Sequence, residues 1–338
     1  MTIQENKIKY LKIFVIFLLA FSGIVFFANI SLAAKNWYVD KIATGANNGT
    51  SWANALTSFA SVVWGAGGVS AGDTLYISGG STSKTYTEQM HVGASGTDGN
   101  PITIRVGQDP GHNGEVILDY DASGDSGSGY AFWIYDISNL VINGSVGGAR
   151  NLRIKNLRNP SAFFGYQIAA IGAGLNTNVT IRYITIENCA NGIWANGGTN
   201  IEVDHNSIQV RGDAAITWFG DDAWDNILIH HNTFEILFNN VPAGNWGPDG
   251  IQAGSGASIY NNTFILTSTS VTTSSQHPDY LQITGNHLKI YNNDFVGMGD
   301  SAIDYSFQSN PTPHDTWIFN PVGFNSPKLA SAFGMMLA

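Results

Sequence analysis

The 338-residue chain has little cysteine and little charge. Cys189 is its only cysteine, so no intramolecular disulfide can form, and stability has to come from core packing and hydrogen bonds. Charged residues make up 12% of the sequence, against roughly 25% in an average soluble domain. The 15 Lys and Arg residues are outnumbered by 25 Asp and Glu residues, and the resulting net charge of −10 disfavours nucleic acid as a partner.

Glycine is abundant instead, at 39 residues, and it accompanies many short apolar runs with few Lys or Glu residues between them. This mixture favours strands and tight turns over surface helices. The composition therefore predicts an all-β protein.

Residues 1–33 differ from the rest of the chain. Lys7, Lys9 and Lys12 precede an apolar run over residues 13–28, and Ser31 and Ala33 supply the small residues of a cleavage site. We predict a signal peptide and a secreted, cell-surface or periplasmic protein, with an uncleaved anchor as the alternative. Cleavage removes three Lys and one Glu, changes the net charge from −10 to −12, and leaves a chain that we expect to be monomeric and not inserted in a membrane.

A repeat indicates the architecture. The segments "IEVDHNSI" (201–208), "ILIHHNTF" (227–234), "SIYNNTF" (258–264) and "LKIYNNDF" (288–295) share an Asn at positions 206, 232, 262 and 293, spaced by 26, 30 and 31 residues. A unit of this length holds about three short strands, and stacked Asn side chains can hydrogen-bond from one coil to the next. The pattern predicts a right-handed, single-stranded parallel β-helix.

With this repeat, the segments "NWYVDKIATGANNGTSWANALTSF", "GDTLYISGG", "YTEQMHVGASGTDGNPITIRV" and "GEVILD" resemble the secreted right-handed parallel β-helix family with the pectate-lyase-like fold. The resemblance covers residues 36 to about 320, with residues 36–120 as the N-terminal cap and first coils and 321–338 as an irregular or truncated tail. It implies a fold more than a reaction, because this family includes polysaccharide lyases, glycoside hydrolases, epimerases and binding proteins. Within it, "SWANALTSFASVVW" (51–64) predicts a short capping helix with Ser51 as its N-cap.

Five strands occupy one position of the coil: "NGIW" (191–194), "DAAI" (213–216), "DGIQ" (249–252), "DYLQ" (279–282) and "SAID" (301–304). If the third residue of each points inward, the fourth points outward. This alignment predicts an external column of Trp194, Ile216, Gln252, Gln282 and Asp304. The two D-x-x-Q strands each start 17 residues after their Asn, against 7 and 8 residues in the coils on either side, so long loops should wall a groove here.

The groove residues suit carbohydrate, since carboxylates bind hydroxyls and aromatic rings stack on sugar CH faces. We predict catalytic roles for His277, Asp279 and Asp249. Substrate binding is predicted for Gln252, Gln282, Asp304, Trp194, Trp218, Trp224 and Trp246. Packing of each Trp on the wall of the solenoid is the alternative.

Asp249 and Asp279 start neighbouring strands, about 4.8 Å apart. At that distance either one pKa rises or a cation such as Ca²⁺ bridges them, with Asp222 as a further metal ligand. The alternative is that each Asp caps backbone amides.

These observations predict a protein that acts on polysaccharide, first as a lyase that cleaves a uronate-containing polymer by β-elimination. A glycoside hydrolase or C5-epimerase on the same scaffold is the second interpretation, since carboxylates about 5 Å apart suit a retaining glycosidase. A non-catalytic glycan-binding or adhesion protein is the third.

Overall fold

A computed structural model describes residues 33–120, 129–157, 168–195, 197–218, 226–237, 248–267, 279–283, 285–297, 301–304, 317–319 and 322–324. One short 3₁₀ helix is present in this part of the chain, at Phe59–Ser61. The strands in chain order are β1 Asn36–Val39, β2 Thr74–Ile77, β3 Ser83–Tyr86, β4 Met90–His91, β5 Ile102–Val106, β6 Glu115–Asp119, β7 Gly129–Ile134, β8 Ser138–Asn143, β9 Ser145–Val146, β10 Ala149–Arg150, β11 Leu152–Lys155, β12 Ile168–Ala173, β13 Asn176–Arg182, β14 Ile184–Cys189, β15 Asn191–Ala195, β16 Gly198–Asp204, β17 Ser207–Val210, β18 Ala214–Trp218, β19 Ile227–His230, β20 Thr233–Ile236, β21 Asp249–Ala253, β22 Ala257–Tyr260, β23 Thr263–Leu266, β24 Asp279–Ile283, β25 Lys289–Tyr291, β26 Asp294–Gly297, β27 Ser301–Asp304, β28 Trp317–Phe319 and β29 Val322–Phe324.

Most strands of the described residues belong to three long parallel sheets. Sheet 1 has the order β1-β2-β5-β8-β13-β16-β19-β22-β25-β28, sheet 2 the order β29-β26-β23-β20-β17-β14-β11-β6-β3, and sheet 3 the order β27-β24-β21-β18-β15-β12-β7-β4. From β11 onward the chain visits the sheets in rotation, so each coil contributes one strand to each sheet. The chain is a right-handed parallel β-helix, as the repeat predicts. A small antiparallel hairpin of β9 and β10 lies outside these sheets.

The core consists of aliphatic columns that run along the axis. In sheet 1, residues of one such column pair in register from coil to coil and are at most 2% exposed: Ile181, Val203, Ile229, Ile259 and Ile290. β-branched side chains suit this position because they pack closely on the neighbouring strand of a pleated surface. Alternation of buried and exposed residues along the strands then directs the remaining side chains to the outer face.

The predicted asparagine ladder is confirmed at the turn between sheets 1 and 2. Asn206 Nδ2 donates to Asn232 Oδ1 at 3.1 Å, Asn232 Nδ2 to Asn262 Oδ1 at 3.1 Å, and Asn262 Nδ2 to Asn293 Oδ1 at 3.0 Å. All four side chains are buried, at 2% exposure or less. The Oδ1 atom of each Asn also accepts a backbone N–H of the preceding coil. The ladder therefore provides hydrogen-bond partners for the backbone of the turn as well as for its own side-chain amides.

The predicted capping helix over residues 51–64 is wrong. Only Phe59–Ser61 is helical, and its N-cap is Ser58 rather than Ser51. The backbone of Leu56 explains the difference, because its N–H donates to Tyr38 and its C=O accepts from Asp40. Leu56 therefore pairs beside β1 and has no backbone group left for helical hydrogen bonds.

The predicted signal peptide falls almost wholly in residues 1–32, outside the described residues. In the described ranges we find no helix with the length and hydrophobicity needed to span a bilayer. The tail after residue 324 is likewise outside the described part of the chain.

Candidate functional site

The outer face of sheet 3 carries the predicted column of substrate-binding residues. Trp194 pairs with Thr217, Thr217 with Gln252, Gln252 with Gln282, and Gln282 with Asp304. Four of the five predicted members therefore share one line along the axis. This places Trp194 and the two Gln residues on one surface of the solenoid.

The fifth predicted member, Ile216, is wrong. Ile216 is fully buried and pairs with Ile193 and Ile251, while Thr217 holds the outward position. The reason is a register difference of one residue: Ala214, not Asp213, pairs with Asp249. A shift of one residue moves a side chain to the opposite face of a strand.

Asp249 and Asp279 start β21 and β24, and each is 1% exposed. Asp249 Oδ1 accepts the backbone N–H of Asp279 at 3.0 Å, and Asp249 Oδ2 accepts the Gln252 side-chain amide at 3.0 Å. The same amide lies 3.3 Å from Asp213 Oδ1. Gln252 thus joins two carboxylates that come from neighbouring coils.

Burial raises the pKa of Asp249 well above its usual value, and the negative charge of Asp279 raises it further. The hydrogen bond from Gln252 acts in the opposite direction. Burial also raises the pKa of Asp213, again with Gln252 opposing the change. The site therefore favours retention of a proton near the Asp249–Asp279 pair.

Asp249 also makes a structural contact, because it accepts the backbone N–H of Asp279 at the start of the next strand. Asn191, which starts β15, makes the same kind of contact: its Oδ1 accepts the Ala214 backbone N–H at 3.1 Å. Asp249 thus caps the start of the next strand, which is the alternative that the sequence leaves open. An Asn satisfies that contact equally, so capping alone does not explain a carboxylate at this position.

Sequence reasoning missed an aromatic cluster on the same face, toward the N-terminal end. Tyr130 lies 4.6 Å from Trp133 and 6.4 Å from Trp194, and Trp133 stacks on Tyr135 at 5.5 Å, measured between ring centroids. Gly172 makes room for Tyr130, because a Cβ there would lie 2.4 Å from a ring carbon. The closely spaced aromatics of "YAFWIY" (130–135) are the signal that could have revealed this cluster.

Two polar groups on this face have no hydrogen-bond partner within the described ranges. They are the indole N–H of Trp194 and the hydroxyl of Thr217, which are neighbours in register. Both atoms are buried, and a buried polar atom without a partner is costly. They lie between the aromatic cluster and Gln252 along sheet 3, where neither atom is accessible from the surface.

Several predicted site residues lie outside the described part of the chain. These are His277, Asp222, Trp224 and Trp246. Trp218 and Asp304 lie in β18 and β27, but their side chains are likewise outside it. Their assignment to the site stays a prediction.

The described residues do not by themselves complete a Ca²⁺ site. Both Asp249 oxygens already accept N–H donors, and no group of three or more His, Cys, Asp or Glu side chains in the described ranges is arranged to hold a metal ion. Ca²⁺ requires six to eight oxygen ligands. The third predicted ligand, Asp222, lies outside the described residues, so the calcium site stays a prediction.

The fold and this face define a class: a parallel β-helix protein with an aromatic cluster, amides and carboxylates along one outer sheet. Neither protein-family models nor curated proteins give a match to the chain. Among solved structures, it is similar to a lacto-N-biosidase from Eubacterium ramulus, with a TM-score of 0.53 and 12% identity over 87% of this chain. The match spans 64% of that structure's length.

Other similar structures are an alginate lyase from Paenibacillus and a pectate lyase. The TM-score is 0.40 and the identity 13% for both. The matches cover 77% of this chain and 91% of the alginate lyase, and 91% of this chain and 82% of the pectate lyase. At these identities the likeness concerns the fold alone.

Proposed function

We propose that the protein is exported and acts on a polysaccharide that lies along the outer face of sheet 3. The observation that carries this proposal is the series of groups along one face of the sheet, from the aromatic cluster through Trp194 to Gln252 and Gln282. Aromatic rings stack on the CH faces of sugars, while amides and hydroxyls bind their hydroxyl groups. A sheet of eight strands, each about 4.8 Å from the next, is long enough to contact several sugar units of an extended chain.

We infer that the reaction is β-elimination from a uronate-containing polymer. In this reaction a base removes the proton at C5, the C4–O bond breaks, a C4–C5 double bond forms, and the leaving oxygen takes up a proton. No protein carboxylate has to attack the sugar. This requirement agrees with the buried Asp249, whose two oxygens are held by N–H donors.

Hydrolysis fits the same groups less well. A retaining glycosidase needs one carboxylate free to attack the anomeric carbon, and an inverting one needs carboxylates about 6.5–9.5 Å apart. Strands of neighbouring coils are about 4.8 Å apart. The Asp249–Asp279 pair is therefore too close for inversion, and Asp249 is too enclosed to be a nucleophile.

In the proposed reaction the proton retained near the buried Asp249–Asp279 pair reduces the negative charge beneath the bound uronate. The side-chain amide of Gln282 donates a hydrogen bond to the uronate carboxylate, which then withdraws electrons more effectively from C5. Gln252 and Gln282 orient the sugar, and Gln282, which is half-buried, is the most open of these groups. His277 takes the C5 proton and returns it to the leaving oxygen.

The experiment is incubation of the purified mature protein with pectate, alginate and a neutral glucan, with and without chelator. We expect unsaturated uronate products that absorb ultraviolet light, and loss of these products in His277→Ala and Gln282→Ala. Asn261→Gly is the matched control, because Asn261 is an exposed residue on the turn between β22 and β23, away from the proposed site. Reducing ends without ultraviolet absorbance would replace the lyase proposal with hydrolysis, and binding to an intact polymer would indicate a glycan-binding protein.

A further inference from the structure

A second groove lies on the outer face of sheet 1, away from the face of sheet 3. It has a volume of about 480 Å³. One wall is a row of asparagines, one from each of four successive coils: Asn139, Asn178, Asn200 and Asn226. The repeat that predicted the buried ladder does not include these residues, so sequence reasoning missed the row.

The asparagine row is ordered by its own hydrogen bonds. Asn178 Nδ2 donates to Asn139 Oδ1 at 3.0 Å, Asn200 Nδ2 to Asn178 Oδ1 at 2.9 Å, and Asn226 Nδ2 to Asn200 Oδ1 at 2.9 Å. All four residues have positive φ angles between 53° and 66°, a conformation that Asn tolerates better than most residues. The row is therefore a regular feature of the groove wall, with one amide at each coil.

The amides of the row have hydrogen-bonding capacity beyond these contacts. Asn178 Nδ2 also donates to Asp98 Oδ1 at 3.3 Å, a contact at the exposed edge of the groove. An Asn amide carries two N–H donors and its oxygen two lone pairs. Asn200 and Asn226 each use one N–H within the row, so their second N–H can serve a ligand, as can the second lone pair of each accepting oxygen.

The floor of the groove mixes apolar and acidic groups. Val141, Thr180, Glu202 and Leu228 pair in register across neighbouring strands and point to this face. Glu202 and Asp98 carry the charges of the lining, which includes no Lys or Arg among its described residues. An anionic polymer is therefore repelled here.

We propose that this groove binds a neutral, extended glycan chain without cleaving it. Amides and sugar hydroxyls both donate and accept hydrogen bonds, so a row of amides matches a row of hydroxyls. Successive amides are about 4.8 Å apart, one strand spacing, which is close to the length of one sugar unit in an extended chain. Val141 and Leu228 offer apolar contacts to the CH faces of the rings.

This site is separate from the one proposed on sheet 3 in both position and charge preference. Sheet 3 is proposed to take a uronate polymer, whereas the acidic lining of this groove selects an uncharged one. A material that contains both kinds of polymer would thus be held by one face and cut by the other. Binding and not cleavage is measured in the test, so its outcome does not depend on the activity of sheet 3.

The experiment is calorimetric titration of the full-length protein with cellohexaose, with hexagalacturonate as the charged comparator. The test variant is Asn178→Gly combined with Asn200→Gly, because Gly accepts the positive φ of both positions while the amides are removed. The matched control is Asn261→Gly combined with Asn292→Gly, two exposed residues that have the same conformation, with φ of 53°, outside the groove.

We expect cellohexaose to bind the wild type and the control equally, and the test variant at least tenfold more weakly. Unfolding temperatures of the two double variants should agree, which separates loss of the amides from loss of the fold. Absence of cellohexaose binding to the wild type would overturn the proposal. Equal affinity of the wild type and the test variant would also overturn it, since the ligand would then bind elsewhere.

Discussion

The buried asparagine ladder gives a quantitative prediction at Asn232. Its Oδ1 accepts both the backbone N–H of Asn206 at 2.9 Å and the side-chain amide of Asn206 at 3.1 Å. Its Nδ2 donates to Val203 O at 2.8 Å, to His230 O at 3.0 Å and to Asn262 Oδ1 at 3.1 Å. Asn232→Ala removes all of these side-chain contacts at a position that is 2% exposed.

The expected loss follows from the donors left without an acceptor. One backbone N–H and one amide N–H of Asn206 lose their partner, and each buried unsatisfied group costs about 1–3 kcal/mol. Asn232→Ala should therefore lower the free energy of unfolding by about 2–6 kcal/mol, a large share of the roughly 5–15 kcal/mol typical of a protein. Asn232→Asp keeps the size but places an oxygen opposite three acceptors, so it should destabilise at least as much at pH 7.

Urea unfolding followed by circular dichroism measures both variants, with Asn261→Gly as an exposed control that should change stability little. At pH 4 the Asn232→Asp variant should recover part of its loss, because a protonated carboxyl again offers a donor. If the Ala and Asp variants both unfold like the wild type, hydrogen bonds of the ladder do not stabilise the coil. The side chains would then merely occupy a turn, and packing of the aliphatic columns would be the source of the stability.

Three further predictions concern the site and the N-terminal coils. The pKa of Asp249 is raised in the folded state, so this carboxyl group contributes stability at low pH that is lost as the pH rises. The difference in unfolding temperature between Asp249→Asn and the wild type should therefore shift in favour of the variant from pH 4 to pH 8. A shift in favour of the wild type would contradict the pKa direction. Lys84→Met should lower the free energy of unfolding by about 3–5 kcal/mol in urea titrations, because it takes the ammonium partner from the buried Asp40; a change below about 1 kcal/mol would exclude that role. Gly172→Ala should displace the Tyr130 ring, lower the free energy of unfolding by about 1–3 kcal/mol through overpacking, and weaken polysaccharide binding in calorimetry. Unchanged affinity would remove Tyr130 from the binding face.

The sequence was sufficient for the fold because its signal is repeated. Asn206, Asn232 and the two later ladder residues recur at about one coil length, and a polar residue that recurs at one place in an apolar pattern indicates a stacked turn. The same alignment placed Gln252 and Gln282 in one column. It misplaced Ile216 by one residue, because the shared Asp of "DAAI" and "DGIQ" favours a register that the backbone does not adopt.

The aromatic cluster and the second groove were not predictable in the same way. Tyr130 belongs to an early coil without the recurring Asn, and its neighbour Gly172 is informative only once the strands are in register. Asn139 and Asn178 are separated by 39 residues, unlike the coil lengths of the buried ladder. The prediction of a capping helix was wrong for a related reason. The backbone of Leu56 hydrogen-bonds to β1, and the helical spacing of apolar residues within 51–64 does not reveal this pairing.

The ladder also has a consequence for how this scaffold can change. It fixes the turn between sheets 1 and 2, whereas coils of 26, 30 and 31 residues differ in the segments that lead into sheet 3. In these three coils the connection from sheet 2 to sheet 3 has 3, 12 and 12 residues, and the connection from sheet 3 to sheet 1 has 8, 3 and 5 residues. Length thus varies on both sides of sheet 3 and leaves the ladder hydrogen bonds undisturbed. Loops exchanged at these two connections would change substrate preference while the rest of the solenoid keeps its geometry.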